Sequence, residues 1–178
     1  NALDNIELAW IQQMTDVSRD NVRSERSRIV NIYQSQRKAN GIAMQMLRTD
    51  GIAGKKISFS SYVKTKMTQP GSHVEFWIRA DNEKHDPVFK SNMINNPITS
   101  DEWKKFSTEA EIPENAATIR IGLVLIGEGE AWFDNASLTV IEDGNKREIP
   151  LSNPDFENGR AGVVPKGWIV PPNRGGET

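Results

Sequence analysis

Residues 130–140 (EAWFDNASLTV) constrain the fold more than any other stretch of this 178-residue chain. They alternate as a strand does, directly after the tight turn Gly127-Glu128-Gly129, yet carry Asp134 and Asn135 in their middle. Strands usually exclude both residue types, because their side chains compete for backbone hydrogen bonds. A carboxylate kept inside an otherwise good strand needs a partner, either a cation or a set of amide donors. The pattern points to a β-sandwich with a structural ion or an anchoring network, and away from a catalytic centre.

From residue 27 onward the same period-two alternation recurs between turn residues, the signature of a many-stranded antiparallel fold. Residues 27–35 (SRIVNIYQS) and 41–47 (GIAMQML) read as strands, with a turn at 51–54. Ile57, Phe59, Ser61 and Val63 share one face of the next strand, which ends near Thr65 before the turn Gln69-Pro70-Gly71. In residues 74–81 (VEFWIRAD), Val74, Phe76, Ile78 and Ala80 form one face, and Glu75, Trp77, Arg79 and Asp81 the other. Residues 82–100, with Pro87 and Pro97, form a long connection with room for one short strand. A strand at 103–110, a turn at 112–116 and a strand at 118–126 (TIRIGLVLI) follow. The last is apolar on both faces near its end, as expected of a buried central strand.

The two ends read differently. Ile6, Trp10, Met14 and Val17 have helical spacing, but the same residues also suit an extended segment along a sandwich edge, and the extended reading is preferred. One sandwich is expected over residues 1–142, with 1–26 as its ambiguous opening. Residues 143–178, rich in Pro and Gly, are expected to be a linker with the partial start of a second similar unit, or a trailing edge strand.

Composition narrows the function. Hydrophobic residues make up 37% and charged residues 26%, which is globular rather than disordered. The net charge is −2 and the basic residues are dispersed, so the concentrated positive face of a nucleic-acid partner is not expected. The charge run at 19–28 (RDNVRSERSR) reads as a solvated face. No apolar run approaches the ~20 residues that span a bilayer. Without cysteine, disulfides and thiolate zinc sites are excluded, and His73 and His85 have neither a helical His partner nor a triad motif. No Gly-x-Ser-x-Gly elbow or phosphate-cradling loop occurs. Glu75 with Asp81, or Glu128 with Glu130, would make a glycosidase pair only in a deeper, better furnished groove. No catalytic residues are assigned.

The outward face of strand 74–81 is the candidate ligand site. Sugar rings present apolar C–H faces and hydroxyl rims, so Trp77 beside Arg79, Glu75 and Asp81 is suitable receptor chemistry, with Asn92 as a further candidate. The competing expectation is that Trp77 fills the second face of a buried strand while Arg79 pairs with Glu75 or Asp81. Trp103 and Trp132 read as core or sheet-edge packing.

Several strings resemble a known family. AGKKISFSSYVKT, VEFWIRAD, PITSDEWKKFSTEAEIPENAATIRIGLVLIGEGEAWFDNASLTV and NPDFENGRAGVVPKGW are similar to bacterial jelly-roll modules related to carbohydrate-binding modules. Such modules are found beside tail-specific serine peptidases and in other secreted or periplasmic proteins of Bacteroides-type bacteria. The resemblance spans roughly residues 27–142 and implies an all-β, antiparallel two-sheet jelly-roll β-sandwich without catalysis of its own. It also implies a structural calcium ion shared by Asp134 of the closing strand and an acidic residue of the opening segment. Asp4 and Glu7, or Asp155 and Glu157 from the tail, would be its partners, as hard cations want six to eight oxygens. Trp168 resembles the family's structural tryptophan.

The order of parts departs from the family. The opening appears at residues 153–168, after the closing strand, and residues 1–10 (NALDNIELAW) are either a worn opening or the closing strand of a preceding unit. The expected role is a non-catalytic accessory module of a secreted or cell-envelope protein, extracellular, periplasmic or at the cell surface. Its partner would be a glycan or a neighbouring domain of the same polypeptide. The alternative is a structural spacer or protein-interaction module with no sugar ligand.

Overall fold

The computed structural model describes residues 30–34, 41–93, 96–160 and 163–170. Among the described residues the alternation becomes nine strands, β1 (Val30–Gln34), β2 (Gly41–Arg48), β3 (Lys56–Met67), β4 (His73–Asp81), β5 (Pro87–Asn92), β6 (Lys104–Glu111), β7 (Thr118–Ile126), β8 (Gly129–Glu142) and β9 (Asn145–Ile149). They form two antiparallel sheets. One has the order β1-β8-β3-β6 with β9 also on β8, and the other has the order β2-β7-β4-β5. The fold is an all-β jelly-roll sandwich, as the resemblance implied. The expected opening segment, with Asp4 and Glu7, lies outside the described residues.

Inward positions of both sheets supply the core. Ile57, Phe59 and Val63 of β3, Val74, Phe76 and Ile78 of β4, and Ile119, Ile121 and Leu123 of β7 are fully buried. Phe59 and Phe76 join the layers edge to face, with ring centroids 5.1 Å apart. The long connection contains β5 and a single bridge from Ile98 to Val74. β7 is the internal strand the apolar run suggested, paired along its whole length with β4 and over Thr118–Leu125 with β2.

Asp134 and Asn135 fit into β8 because the strand is bulged there. Ser60 of β3 faces Ser137 while Tyr62 faces Asp134, so Asn135 and Ala136 together stand against Ser61 alone. Asn135 takes a left-handed φ of 49°, which Asn tolerates better than most residues. The Asp134 carboxylate accepts the Asn135 backbone N–H at 2.7 Å and its Nδ2 at 2.9 Å, and Ser61 Oγ donates to the Asp134 carbonyl at 2.7 Å. Of the two partners that the sequence allows for this carboxylate, the described bonds are amide donors.

The boundary expected at residue 142 does not coincide with a break in the sandwich. β8 runs on into a two-residue hairpin turn at Asp143-Gly144, whose φ values of 49° and 78° suit a primed turn. β9 then returns along the edge of β8, pairing residues 138–142 with 145–149. β1 covers residues 129–133 of that same edge, so residues 134–137, the bulge, lie between the two. The tail fills this gap, where Ala136 N–H donates to the Pro154 carbonyl at 3.0 Å.

On either side of that contact the tail also bonds to the second sheet. The buried Gln45 amide exchanges two hydrogen bonds with the Ser152 backbone, at 2.6 and 3.0 Å. Ile169 forms a bridge with Met44 on β2, at 2.9 and 2.7 Å. Between these anchors Phe156 and Trp168 enter the core against Phe133, with centroid distances of 4.9 and 5.3 Å. Asn153 orders the loop. Its side chain exchanges two bonds with the Asn158 backbone, and its carbonyl accepts Trp168 Nε1 at 3.2 Å. Residues 145–170, so far as they are described, are packed on this sandwich.

Gly122 is needed where β7 passes β2. A Cβ there would collide with the Ala43 carbonyl oxygen and lie 2.8 Å from Met44 Cβ, and backbone cannot step aside cheaply. Gly122→Ala is expected to cost about 1–3 kcal/mol by overpacking. A chemical-denaturation midpoint equal to the wild type would show that the two strands are not so tightly apposed.

Candidate ligand face

The pleat places the candidate residues as the alternation predicted. Val74, Phe76, Ile78 and Ala80 point into the core at 0–1% exposure, so Glu75, Trp77, Arg79 and Asp81 project from the outer face of the β2-β7-β4-β5 sheet. Trp77 is half-buried on this face, intermediate between the exposed and the fully buried placements.

Strand pairing assembles two rows across the sheet. In the first, Asn92, Trp77, Gly122 and Met44 are successive cross-strand neighbours on β5, β4, β7 and β2. Gly122 has no side chain, so a bare stretch of backbone separates the indole from the methionine. In the second row, Lys90, Arg79, Arg120 and Met46 follow in the same strand order. Like charges directly opposite each other destabilise a sheet unless something intervenes.

Asp81 intervenes. Its carboxylate is 1% exposed, and it accepts Arg79 Nε at 2.7 Å on one oxygen and Arg120 Nη1 on the other. The guanidiniums themselves stay partly open, at 33% and 24% side-chain exposure. Burial and, after it, the neighbouring Arg79 lower the Arg120 pKa from its ordinary value. Asp81 thus lies covered on the same face, in the next row, and orients two forks that remain in contact with solvent.

Glu75 is also held, at 4% exposure. Its Oε1 lies 3.0 Å from His73 Nε2, and His73 Nδ1 is 2.7 Å from the Gly71 carbonyl. A carbonyl can only accept, so Nδ1 carries a proton, and a hydrogen bond to the carboxylate needs one on Nε2 as well. Burial alone would lower the His73 pKa, but the Gly71 carbonyl and the Glu75 carboxylate outweigh it and the net shift is upward. Glu75 and Asp81 do not pair with each other. Asn92 falls in the Trp77 row by register.

The opposite face of the sandwich carries a different groove, of about 670 Å³, lined by Lys64, Lys66, Thr99, Asp101 and Trp132 among others. Trp132 is half-buried on the outer side of β8, and Lys64 Nζ stands 5.8 Å from its ring centroid. Its own lysine covers the ring, the placement of a sheet-packing tryptophan.

Of the proposed calcium ligands, Asp134, Asp155 and Glu157 lie among the described residues. Asp134 is satisfied by Asn135, and Asp155 Oδ1 accepts the Glu157 N–H at 3.3 Å. Among the described residues no group of three or more His, Asp or Glu side chains converges as a metal site would require. Asp4 and Glu7 lie outside those residues.

Arg120, Gly122, Lys90 and Met44 were missed as site residues by sequence reasoning. The alternation of TIRIGLVLI does place Arg120 and Gly122 opposite Ile119 and Ile121. Only the strand order shows that they flank Arg79 and Trp77.

No protein-family model matches the chain. Over 111 residues it is 33% identical to an uncharacterized HTH-type transcriptional regulator, YbfP, of Bacillus subtilis strain 168, a match covering 62% of this chain and 36% of that protein. The chain therefore spans about a third of that relative's length. Among solved structures, the enzymatically active domain of tailspike protein 4 from bacteriophage CBA120 is similar at a TM-score of 0.52 and 12% identity, over 70% of this chain and 17% of that one. A carbohydrate-binding module of PbXyn10C in its apo form has a TM-score of 0.49 and 17% identity over 85% of both chains. At 12% identity the likeness to the tailspike domain is one of fold alone.

Proposed function

We propose that this chain is a non-catalytic accessory module that binds carbohydrate on the outer face of the β2-β7-β4-β5 sheet, within a secreted or cell-envelope protein. One observation carries the reading: a half-buried indole stands beside a bare glycine and, one row away, beside two guanidiniums held by one buried carboxylate. Trp77 offers a flat apolar surface for a sugar ring, and Arg79 and Arg120 offer donors for its rim. Glu75 and Asp81 act by holding His73 and the arginines in place.

Trp77→Ala tests this directly. It removes the stacking platform from a half-buried position and should abolish glycan-array signal while leaving the unfolding transition nearly intact. An array without signal for the wild-type protein, with and without calcium, would leave the spacer or protein-interaction role. Calcium enters through the resemblance alone. A melting temperature that falls on addition of EDTA is expected, since a cation bound only to the folded state stabilises it by mass action, and an unchanged one would remove the ion.

The similarity to the regulator favours a second reading, in which the same face senses a sugar for an attached DNA-binding segment. The two readings differ in the parent protein. Ligand-dependent DNA retention by the full-length product would select the second, and a product exported from the cell would select the first.

A further inference from the structure

We propose that the ligand of this face is an acidic glycan, a polymer whose sugar units carry a carboxylate, rather than a neutral one. The inference rests on the carbohydrate-binding reading above and narrows it. The second row across the sheet contains three cations, Lys90, Arg79 and Arg120, on three adjacent strands. The one carboxylate bonded within that row, Asp81, is already shared by both arginines. The row therefore keeps an excess of positive charge, on a chain whose net charge is −2.

A neutral sugar gives no return for gathering three cations, which repel one another across the strands. A carboxylate does, because its two oxygens match the planar donor fork of a guanidinium. Each arginine gives one nitrogen to Asp81, which leaves further N–H donors on a group still partly exposed. Trp77 lies two residues from Arg79 on the same face, about 7 Å along the strand. A ring stacked on the indole can thus direct its own or its neighbour's carboxylate into the pair. Lys90, exposed at the end of the row, extends the positive track toward β5.

The test is calorimetric titration with oligogalacturonate, its fully methyl-esterified form, and a neutral xylo-oligosaccharide of equal length. The acidic form is expected to bind at least 10-fold more tightly than either, with affinity that falls as salt rises. Arg120→Gln should lose about 10- to 100-fold, the range for a charged hydrogen bond. Because that variant disturbs Asp81, Lys90→Gln is the companion: it lies outside the ion cluster and should weaken the acidic ligand several-fold while leaving the melting temperature unchanged. Equal, Trp77-dependent binding of acidic and neutral forms would overturn the acidic preference and leave carbohydrate binding standing. Binding of no form, or acidic binding indifferent to Trp77→Ala and Lys90→Gln, would overturn both.

Discussion

Phe156→Ala should lower the unfolding free energy by about 3–5 kcal/mol, the usual cost of emptying a core aromatic site. Phe156 is 2% exposed and lies edge to face on Phe133, while Trp168 packs against both rings. All three reach one another because the β8 bulge leaves Ala136 free to bond Pro154 and bring the tail over the edge of β8 between β1 and β9. In a domain of this size the melting temperature should fall by roughly 10 °C. Val163→Ala is the control: it sits in the same tail at 53% exposure and should stay within about 0.5 kcal/mol. If both substitutions were neutral, the tail would belong to another unit and its seat here would be dispensable. A large loss for Phe156 alone would make it this sandwich's own closing element, in the place where the family resemblance puts an opening.

Asp81→Ala is the second large effect. Removing one partner from a buried ion pair costs about 3–5 kcal/mol, because the remaining charge is left uncompensated. Here the arginines are partly exposed and water screens them, so about 2–3 kcal/mol is expected. Arg79 and Arg120 would then face each other across β4 and β7 with nothing between them. Urea unfolding should show a lower midpoint at an unchanged slope. The triple variant with Arg79→Gln and Arg120→Gln should recover part of the loss, since the three side chains act as one network. A single substitution costing under about 0.5 kcal/mol would mean that the bridge does not hold the pair. Glycan affinity should fall with it, as the donors lose their orientation.

The strands were legible because alternation is local. Each β position can be assigned to one face or the other by counting, and the outward set Glu75, Trp77, Arg79 and Asp81 was found that way. The β9 hairpin was legible in part: a trailing edge strand was one of the two expectations for residues 143–178, and Asp143-Gly144 supplies the two-residue turn that places it. The bulge at Asn135 was half legible. An Asp-Asn pair inside a strand announced an anomaly, but its form depended on which β3 residue stood opposite. The tail's destination was not legible, since Phe156 and Trp168 suit the core of this sandwich and that of a following one equally well.

What the sequence determined alone is the side of the sheet on which each residue falls, because the pleat repeats every two residues whatever lies beside it. What only the tertiary structure decided is which outward residues become neighbours. Arg79 meets Arg120, and Trp77 meets Gly122, through the order β2-β7-β4-β5 and its register, between positions some forty residues apart in the chain. Strand order and register are set by the packing of the whole core, and so the chemistry of the face was settled by residues that never reach it.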